Sequence, residues 1–236
     1  MTASAAIWCA SVKLQLGDVD PTRDWLSMPE RTRLASMISP RRRDQFIAGR
    51  WLARQALAAL HGGQPQEWQL SAAVDAPPQV TSGPRVSGIA IGLSHSGDTV
   101  ACVLADCAVG IDVERHARRA LDVAGLVAVV LSDAERACWS ARPAAAREVE
   151  FLGWWTLKEA WLKAHGRTLN PATLRDIEAL PSDKMEANAR LWREDDFTLA
   201  LVGLDAAAPL DVARPMPRCQ TQWWTVRERR SSSPGS

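Results

Sequence analysis

Hydrophobic and polar positions along the chain follow two periods, and the switches between them mark out the elements. From Ile7 to Leu16 apolar residues recur at about every second position, the period of a half-buried strand. Met28-Pro29-Glu30 opens a helix, and Ser39-Pro40 punctuates it. From Arg41 to Leu60 the apolar positions Phe46, Ile47, Leu52, Ala56, Leu57 and Leu60 take helical spacing, closed by His61-Gly62-Gly63. The stretch from Gln64 to Gly88 is rich in Pro, Gly, Ser and Gln and reads as loop with short strands. Ile89 to Leu93 and Val100 to Ala105 read as strands separated by a polar turn, Ser94-His95-Ser96-Gly97-Asp98. Val109 to Glu114 reads as the next strand of a hairpin or meander. Ser132-Asp133-Ala134-Glu135 matches a capping box and starts a helix through about Ser140. A long helix is predicted from Pro143 to Ala164, stopped by His165-Gly166, and later strands at Phe197 to Val202 and Trp223 to Val226. Residues 227–236 are charged and then rich in Ser, Gly and Pro, as in a disordered tail. Both halves run strand, helices, strands with no visible residue-level repeat, so the expectation is α+β with mostly antiparallel sheet.

Composition narrows the function classes. With 236 residues, 47% hydrophobic and 23% charged, the chain suits one large domain or two smaller ones. The formal net charge is +1, which disfavours an extended grip on nucleic acid. The start lacks the basic and long apolar regions of a secretory signal. The longest apolar run, Leu121 to Leu131, is too short to span a bilayer, so a cytoplasmic protein is expected. Five widely spaced cysteines (Cys9, Cys102, Cys107, Cys138, Cys219) include no Cys-x-x-Cys pair. They argue against a disulfide framework or structural zinc and for small core residues. Among 28 basic residues only Lys13, Lys158, Lys163 and Lys184 are lysine, so a preference for Arg is general and the exceptions are informative.

Four constellations could carry chemistry. In a strand through Gly110-Ile111-Asp112-Val113-Glu114, Asp112 and Glu114 project to one side while Ile111 and Val113 enter the core. The paired carboxylates fit a hard divalent cation such as Mg²⁺, or else a solvated face neutralised by a neighbouring arginine; spacing alone leaves both open. In Trp155-Thr156-Leu157-Lys158-Glu159-Ala160-Trp161-Leu162-Lys163, Glu159 and Lys163 share a helix face one turn apart. A surface salt bridge would explain the pair, but this helix is apolar almost all round and holds half of the lysines. A lysine kept where Arg is the rule points to a compact charge, as in contacts to phosphate. The Ser94–Asp98 turn could offer N–H groups and His95 to a phosphate, or be an ordinary β-turn. Between Arg31 and Arg54 seven arginines face one acid, Asp44, either as a solvated helix face or as an anion site.

In their order and spacing these segments resemble the 4′-phosphopantetheinyl transferase superfamily. Its pattern is G-[IV]-D-[IVL]-E, then W-[TS]-x-K-E-[AS]-x-x-K, and here the second starts about forty-five residues after the first. Leu93-Ser-His-Ser-Gly-Asp98 resembles the upstream signature, and the likeness covers roughly Arg41 to Leu169. The length resembles the two-lobed, monomeric type serving carrier proteins of peptide, polyketide or fatty-acid synthases. The resemblance implies two similar α/β lobes with antiparallel sheets related by a pseudo-twofold. Residues 1–107 would form a lobe holding the coenzyme A nucleotide, and 108–226 a lobe holding metal and phosphates. It implies transfer of the phosphopantetheine arm of coenzyme A to a serine of an apo carrier protein, releasing adenosine 3′,5′-bisphosphate. By similarity Asp112, Glu114 and Glu159 would hold Mg²⁺, Glu159 would serve as base, and Lys163 would meet the phosphates. Ser94 and His95 would contact nucleotide phosphates, and Arg50 in Ala48-Gly49-Arg50 would lie near the adenosine end. Where relatives carry lysines for the 3′-phosphate this chain has Arg41, Arg42 and Arg43. Ser82-Gly83-Pro84-Arg85 resembles a Gly-Lys-Pro turn with Arg85 in place of its lysine. The other readings are a catalytically silent carrier-binding module on the same fold and an unrelated Mg²⁺-dependent phosphohydrolase.

Overall fold

A computed structural model describes residues 4–20, 22–74, 76–116, 123–203, 210–212 and 220–229. The first half runs β1 (Ala5–Ser11), α1 (Val12–Asp18), α2 (Met28–Ser36), α3 (Pro40–His61), β2 (Gln69–Leu70), β3 (Val80–Ser82), β4 (Ala90–Ser96) and β5 (Thr99–Ala105). The second runs β6 (Gly110–Arg115), α4 (Val123–Val130), α5 (Asp133–Ser140), α6 (Arg147–Ala164), α7 (Pro171–Asp176), β7 (Ile177–Pro181), β8 (Ala189–Arg193), β9 (Phe197–Val202), β10 (Leu210–Val212) and β11 (Gln222–Glu228). The main strands form two sheets, ordered β10-β1-β5-β4 and β6-β9-β8-β11-β7, and β2 and β3 pair separately. Neighbouring strands are antiparallel except β1 and β10.

Strand alternation stacks four layers. One face of the first sheet packs Val100, Cys102 and Leu104 against Leu52, Ala56 and Leu57 of α3. Its other face packs Ile7, Cys9, Ala101 and Val103 on Ile111, Val113, Leu199 and Leu201 of the second sheet. The far face of the second sheet, with Leu191, Ala200, Val202 and Trp224, packs on Trp154, Leu157 and Trp161 of α6. The layers thus run α3, sheet, sheet, α6. The lobes also exchange chain: β10, late in the sequence, joins β1 in the first sheet.

Several elements depart from expectation. The run read as strand from Ile7 to Leu16 splits at Ser11, which caps α1 through its hydroxyl and also bonds Asp98. The alternation there is met by burying Val12 and Gln15 while Leu14 stays exposed. The polar stretch Ser94–Ser96 belongs to β4, and the turn to β5 is only Gly97-Asp98. β6 continues no meander from β5; it pairs with β9 and opens the second sheet. Pro143 precedes a single 3-10 turn, Ala144–Ala146, and α6 starts at Arg147. At the C-terminus Arg227 and Glu228 lie in β11, and the Arg229 amide bonds the Asp176 carbonyl, so those three are not tail; 230–236 lie outside the described residues. Cys9 and Cys102 are buried free thiols whose pKa burial pushes up, Cys107 and Cys138 are half-buried, and Cys219 lies outside the described residues. No helix among the described residues is long and apolar enough to cross a membrane.

The two stacked sheets also approach one another along β4 and β6, and α6 lies across β6. A Cβ on Gly110 would overlap the Ala160 carbonyl and the Ala164 amide, so helix and strand backbones touch there. Gly110→Ala should therefore force α6 off β6. The expected cost is about 1–3 kcal/mol or more, read as a lower melting temperature.

Candidate active site

The seam between β4 and β6 is built by side chains. Gly92, Ser94 and Ser96 alternate along β4 toward β6, and a Cβ on Gly92 would crowd Ile111. The outward N–H groups of β6 are met by hydroxyls. Val113 N–H donates to Ser94 Oγ at 3.2 Å and Arg115 N–H to Ser96 Oγ at 3.1 Å. Each hydroxyl in turn donates to a carboxylate, Ser94 to Asp112 Oδ1 at 2.8 Å and Ser96 to Glu114 Oε2 at 2.7 Å.

Because α6 touches β6 at Gly110, its next turns carry Glu159 and Lys163 over Asp112. Lys163 Nζ lies 2.5 Å from Asp112 Oδ1 and 3.1 Å from Ser94 Oγ. Oxygens of Asp112, Glu114 and Glu159 lie within 4.8 Å of one another. Asp112 is 2% exposed, and its Oδ2 is buried with no hydrogen-bond partner. Burial, then Asp112, pushes the Glu159 carboxyl up to about 7, with Glu114 adding to the rise. Glu114 is raised for the same two leading reasons, against hydrogen bonds from Ser96 and Trp155 Nε1. Burial disfavours the Lys163 charge, but Asp112, Glu159 and Glu114 outweigh it and raise its pKa. Three converging carboxylates around an unanswered buried oxygen fit an oxygen-loving divalent cation. Such an ion would be held by Asp112, Glu114 and Glu159.

An interlobe cleft of about 630 Å³ opens over this floor, lined by Arg42, Phe46 and Arg50 of α3, His95 of β4, and Glu159 and Lys163. His95 is exposed to it, and partial burial, Lys163 and Arg42 hold its ring below the usual pKa. Ser94 lines the cleft, but its one hydrogen is committed to Asp112, so it has no donor left for a phosphate. Ser94–Ser96 extend β4 in register with β5 rather than forming the expected turn. Arg50 reaches the cleft wall but is 4% exposed, bonding the Ser71 carbonyl at 2.6 Å and Glu30 at 3.5 Å. Burial is the leading cause that lowers its pKa to about 10.

Two residues expected to contact anions bond backbone carbonyls instead and lie outside the cleft lining. Arg43 turns from the cleft to bond the Leu34 and Met37 carbonyls at the end of α2; Arg42, one residue earlier on the helix, lines the cleft instead. Arg85 bonds the Ser87 carbonyl and is not among the cleft-lining residues. Arg33 and Arg167 line the cleft and were missed. Arg33 was one of seven arginines that helical spacing could not sort, and Arg167 follows the Gly166 stop, where its pairing with Glu228 of β11 has no local signal.

Lys158 departs furthest from its reading as a phosphate contact. It is fully buried, and its three donors meet Glu135 Oε2 at 2.7 Å and the carbonyls of Val130 at 2.6 Å and Leu174 at 2.9 Å. Glu135 also takes the Ser132 and Ala179 amides, completing the capping box of α5. The ammonium thus ties the ends of α4 and α7 to α5, and a guanidinium fork does not match three acceptors around one point.

Comparison with known proteins agrees with this architecture. A family model described as the 4′-phosphopantetheinyl transferase superfamily matches residues 108–228. A second, described as the 4′-phosphopantetheinyl transferase N-terminal domain, matches residues 30–105. The chain is 30% identical over 165 residues to 4′-phosphopantetheinyl transferase HetI of Nostoc sp. (strain PCC 7120 / SAG 25.82 / UTEX 2576), covering 70% of this chain and 67% of that protein.

Lys158→Ala would leave Glu135 charged and unpaired in the core. The expected loss is about 3–5 kcal/mol in denaturant unfolding, with a smaller loss when Glu135 and Lys158 are replaced together by apolar residues of similar volume. A pH effect follows from Glu159. Its carboxyl ionises near 4.5 when unfolded and near 7 when folded, so it favours the native state fully below the lower value. That contribution is lost as pH rises through the window. Metal-free protein should show this fall in melting temperature between about pH 5 and pH 7, and Glu159→Gln should flatten it.

Proposed function

Because the chain belongs to the 4′-phosphopantetheinyl transferase superfamily, whose members act on apo carrier proteins with coenzyme A, we propose a specific division of labour among its residues. It transfers the phosphopantetheine arm to a carrier serine, depends on Mg²⁺, and releases adenosine 3′,5′-bisphosphate. The observation that carries this reading is the orphaned Asp112 Oδ2 amid three carboxylates, with Lys163 beside it and with Glu159 and Lys163 opening to the cleft.

Bound there, the cation would supply charge neutralisation for the pyrophosphate, the main demand of phosphoryl transfer. Lys163 adds a fixed positive charge next to Asp112, where a bridging phosphate oxygen would gain negative charge. Glu159 reaches the cleft beside the cation site, and it takes the proton of the attacking serine directly or through water. His95 and Arg42 receive the 3′-phosphate; the anion would favour the protonated imidazole, which Lys163 and Arg42 now oppose. Arg50 shapes the nucleotide wall rather than serving as a mobile anion contact. Both cleft walls come from one chain, so a monomer suffices, and carriers of peptide, polyketide or fatty-acid synthases are the partners.

Mass spectrometry of an apo carrier mixed with the protein, coenzyme A and Mg²⁺ should show a pantetheinyl adduct on the carrier serine. No adduct on any carrier of a broad panel would defeat the proposal and favour a silent binding module. Asp112→Asn and Glu159→Gln should each lower the rate by at least about 100-fold. Lys163→Ala should raise KM for coenzyme A.

A further inference from the structure

The reading of Asp112, Glu114 and Glu159 as a cation site leaves open what fixes their side chains. Asp112 is held by Lys163 of its own lobe and by Ser94 of β4, both of which line the cleft. Glu114 is held from across the lobe boundary. We propose that Ser96, from the N-terminal lobe, is a positioning residue for the metal centre of the C-terminal lobe.

The hydroxyl has one hydrogen and donates it to Glu114 Oε2 at 2.7 Å. One of its lone pairs takes the Arg115 N–H at 3.1 Å, so Ser96 joins the β6 edge and the carboxylate at the same time. It cannot drift along the strand. At one end of the seam Gly92 lets β4 approach β6 closely, since a Cβ there would overlap Val103 and crowd Ile111. At the other, the Arg115 side chain lies over Gly97 so closely that a Cβ there would collide with it. The second Glu114 oxygen receives the longer contact from Trp155 Nε1, at 3.3 Å, and is the less firmly held of the two. A carboxylate pinned through one oxygen keeps its rotamer while the other can turn to a ligand. Partners of this kind around metal-binding carboxylates change affinity by about 10–100-fold when removed. Metal affinity thereby depends on the apposition of the two lobes, although all three acids belong to one.

The test separates this role from simple support of the seam. Mg²⁺ binding to the protein without coenzyme A is measured by calorimetry, together with the metal-induced rise in melting temperature, for wild type and Ser96→Ala. The variant should bind Mg²⁺ at least about tenfold more weakly. In the transfer assay its apparent Mg²⁺ constant should rise more than kcat at saturating Mg²⁺ falls. Ser96→Thr, which keeps the hydroxyl and suits a strand, should restore the affinity. If Ser96→Ala does not fold, Ser96→Cys keeps a similar shape with a weak donor and should show the same direction of loss. Unchanged Mg²⁺ affinity in a variant whose metal-free melting temperature alone has dropped would overturn the inference. A wild type that binds no Mg²⁺ would overturn the cation reading and this inference with it, whereas a wild type that binds it leaves Ser96 as the sole question.

Discussion

The backbone contact between α6 and β6 at Gly110 is the constraint on which the rest of the structure depends. A helix normally stands off a sheet by the length of the side chains between them. Here the strand has no side chain at the crossing, and the Ala160 carbonyl and Ala164 amide occupy the place of a Cβ. That approach, with small Ala160 and Ala164 on the helix side, lowers Glu159 and Lys163 onto the Asp112 side of the strand. A larger residue at any of these positions would lift the helix, and the three carboxylates would no longer lie within one cation's reach. The glycine and the charged residues of the two motifs are thus one device: the first sets the distance that the others need.

Stability comes from a second device, used twice. Ser27 caps α2 and Glu30 closes its capping box, buried, with Arg54 of α3 making two hydrogen bonds to that carboxylate at 3.0 and 2.6 Å. Ser132 caps α5, Glu135 closes its box, buried, and Lys158 of α6 meets that carboxylate at 2.7 Å. In each lobe a short helix begins on a serine, presents a buried glutamate at its third position, and is pinned by a cation from the long helix that covers the sheet. This is the residue-level repeat that the two halves did not reveal side by side. It escapes sequence comparison because the cation changes from Arg to Lys. The change has a physical reason: Arg54 answers one carboxylate with a planar fork, while Lys158 must answer three acceptors from three elements. The lysine that looked like a phosphate contact is a structural joint, and its neighbour Glu159 owes its place to it.

Much of this was legible in the sequence, in proportion to how local its causes are. The α5 capping box and the long α3 and α6 follow from spacing within single elements, whereas Asp112, Glu114 and Glu159 are joined as one set only by the family resemblance. What was not legible depends on contacts between distant segments. Val12–Asp18 alternates like a strand and becomes a helix because Ser11 is tied to Asp98 some ninety residues on. Ser94 and Ser96 have turn-like composition but extend β4, since β6 supplies acceptors and donors for their hydroxyls. Along the arginine run, the choice of Arg42 over Arg43 for the cleft is a matter of one hundred degrees of helix rotation, with Arg43 captured by the end of α2. A helical pattern cannot resolve that when every candidate is the same residue.

The near-zero net charge of the chain conceals a steep local gradient. The cleft walls carry Arg33, Arg42 and Arg167, while at its floor Glu159 and Lys163 lead to a cluster of three carboxylates facing one ammonium. A polyanion approaching alone is attracted by the walls and opposed at the floor, so it would settle at the rim with its reacting phosphates held away from the acids. A proton on Glu159 relieves part of that opposition, consistent with its raised pKa, but it leaves Asp112 Oδ2 unanswered. A divalent cation bound there would answer that oxygen and reverse the local sign, as the proposed reaction requires for pyrophosphate and carboxylates to share one small volume. The arrangement therefore selects for a ligand pair, a phosphorylated molecule together with its metal, over either alone. Because Glu114 is steadied from the opposite lobe, the gradient is complete only when both halves of the molecule are in contact.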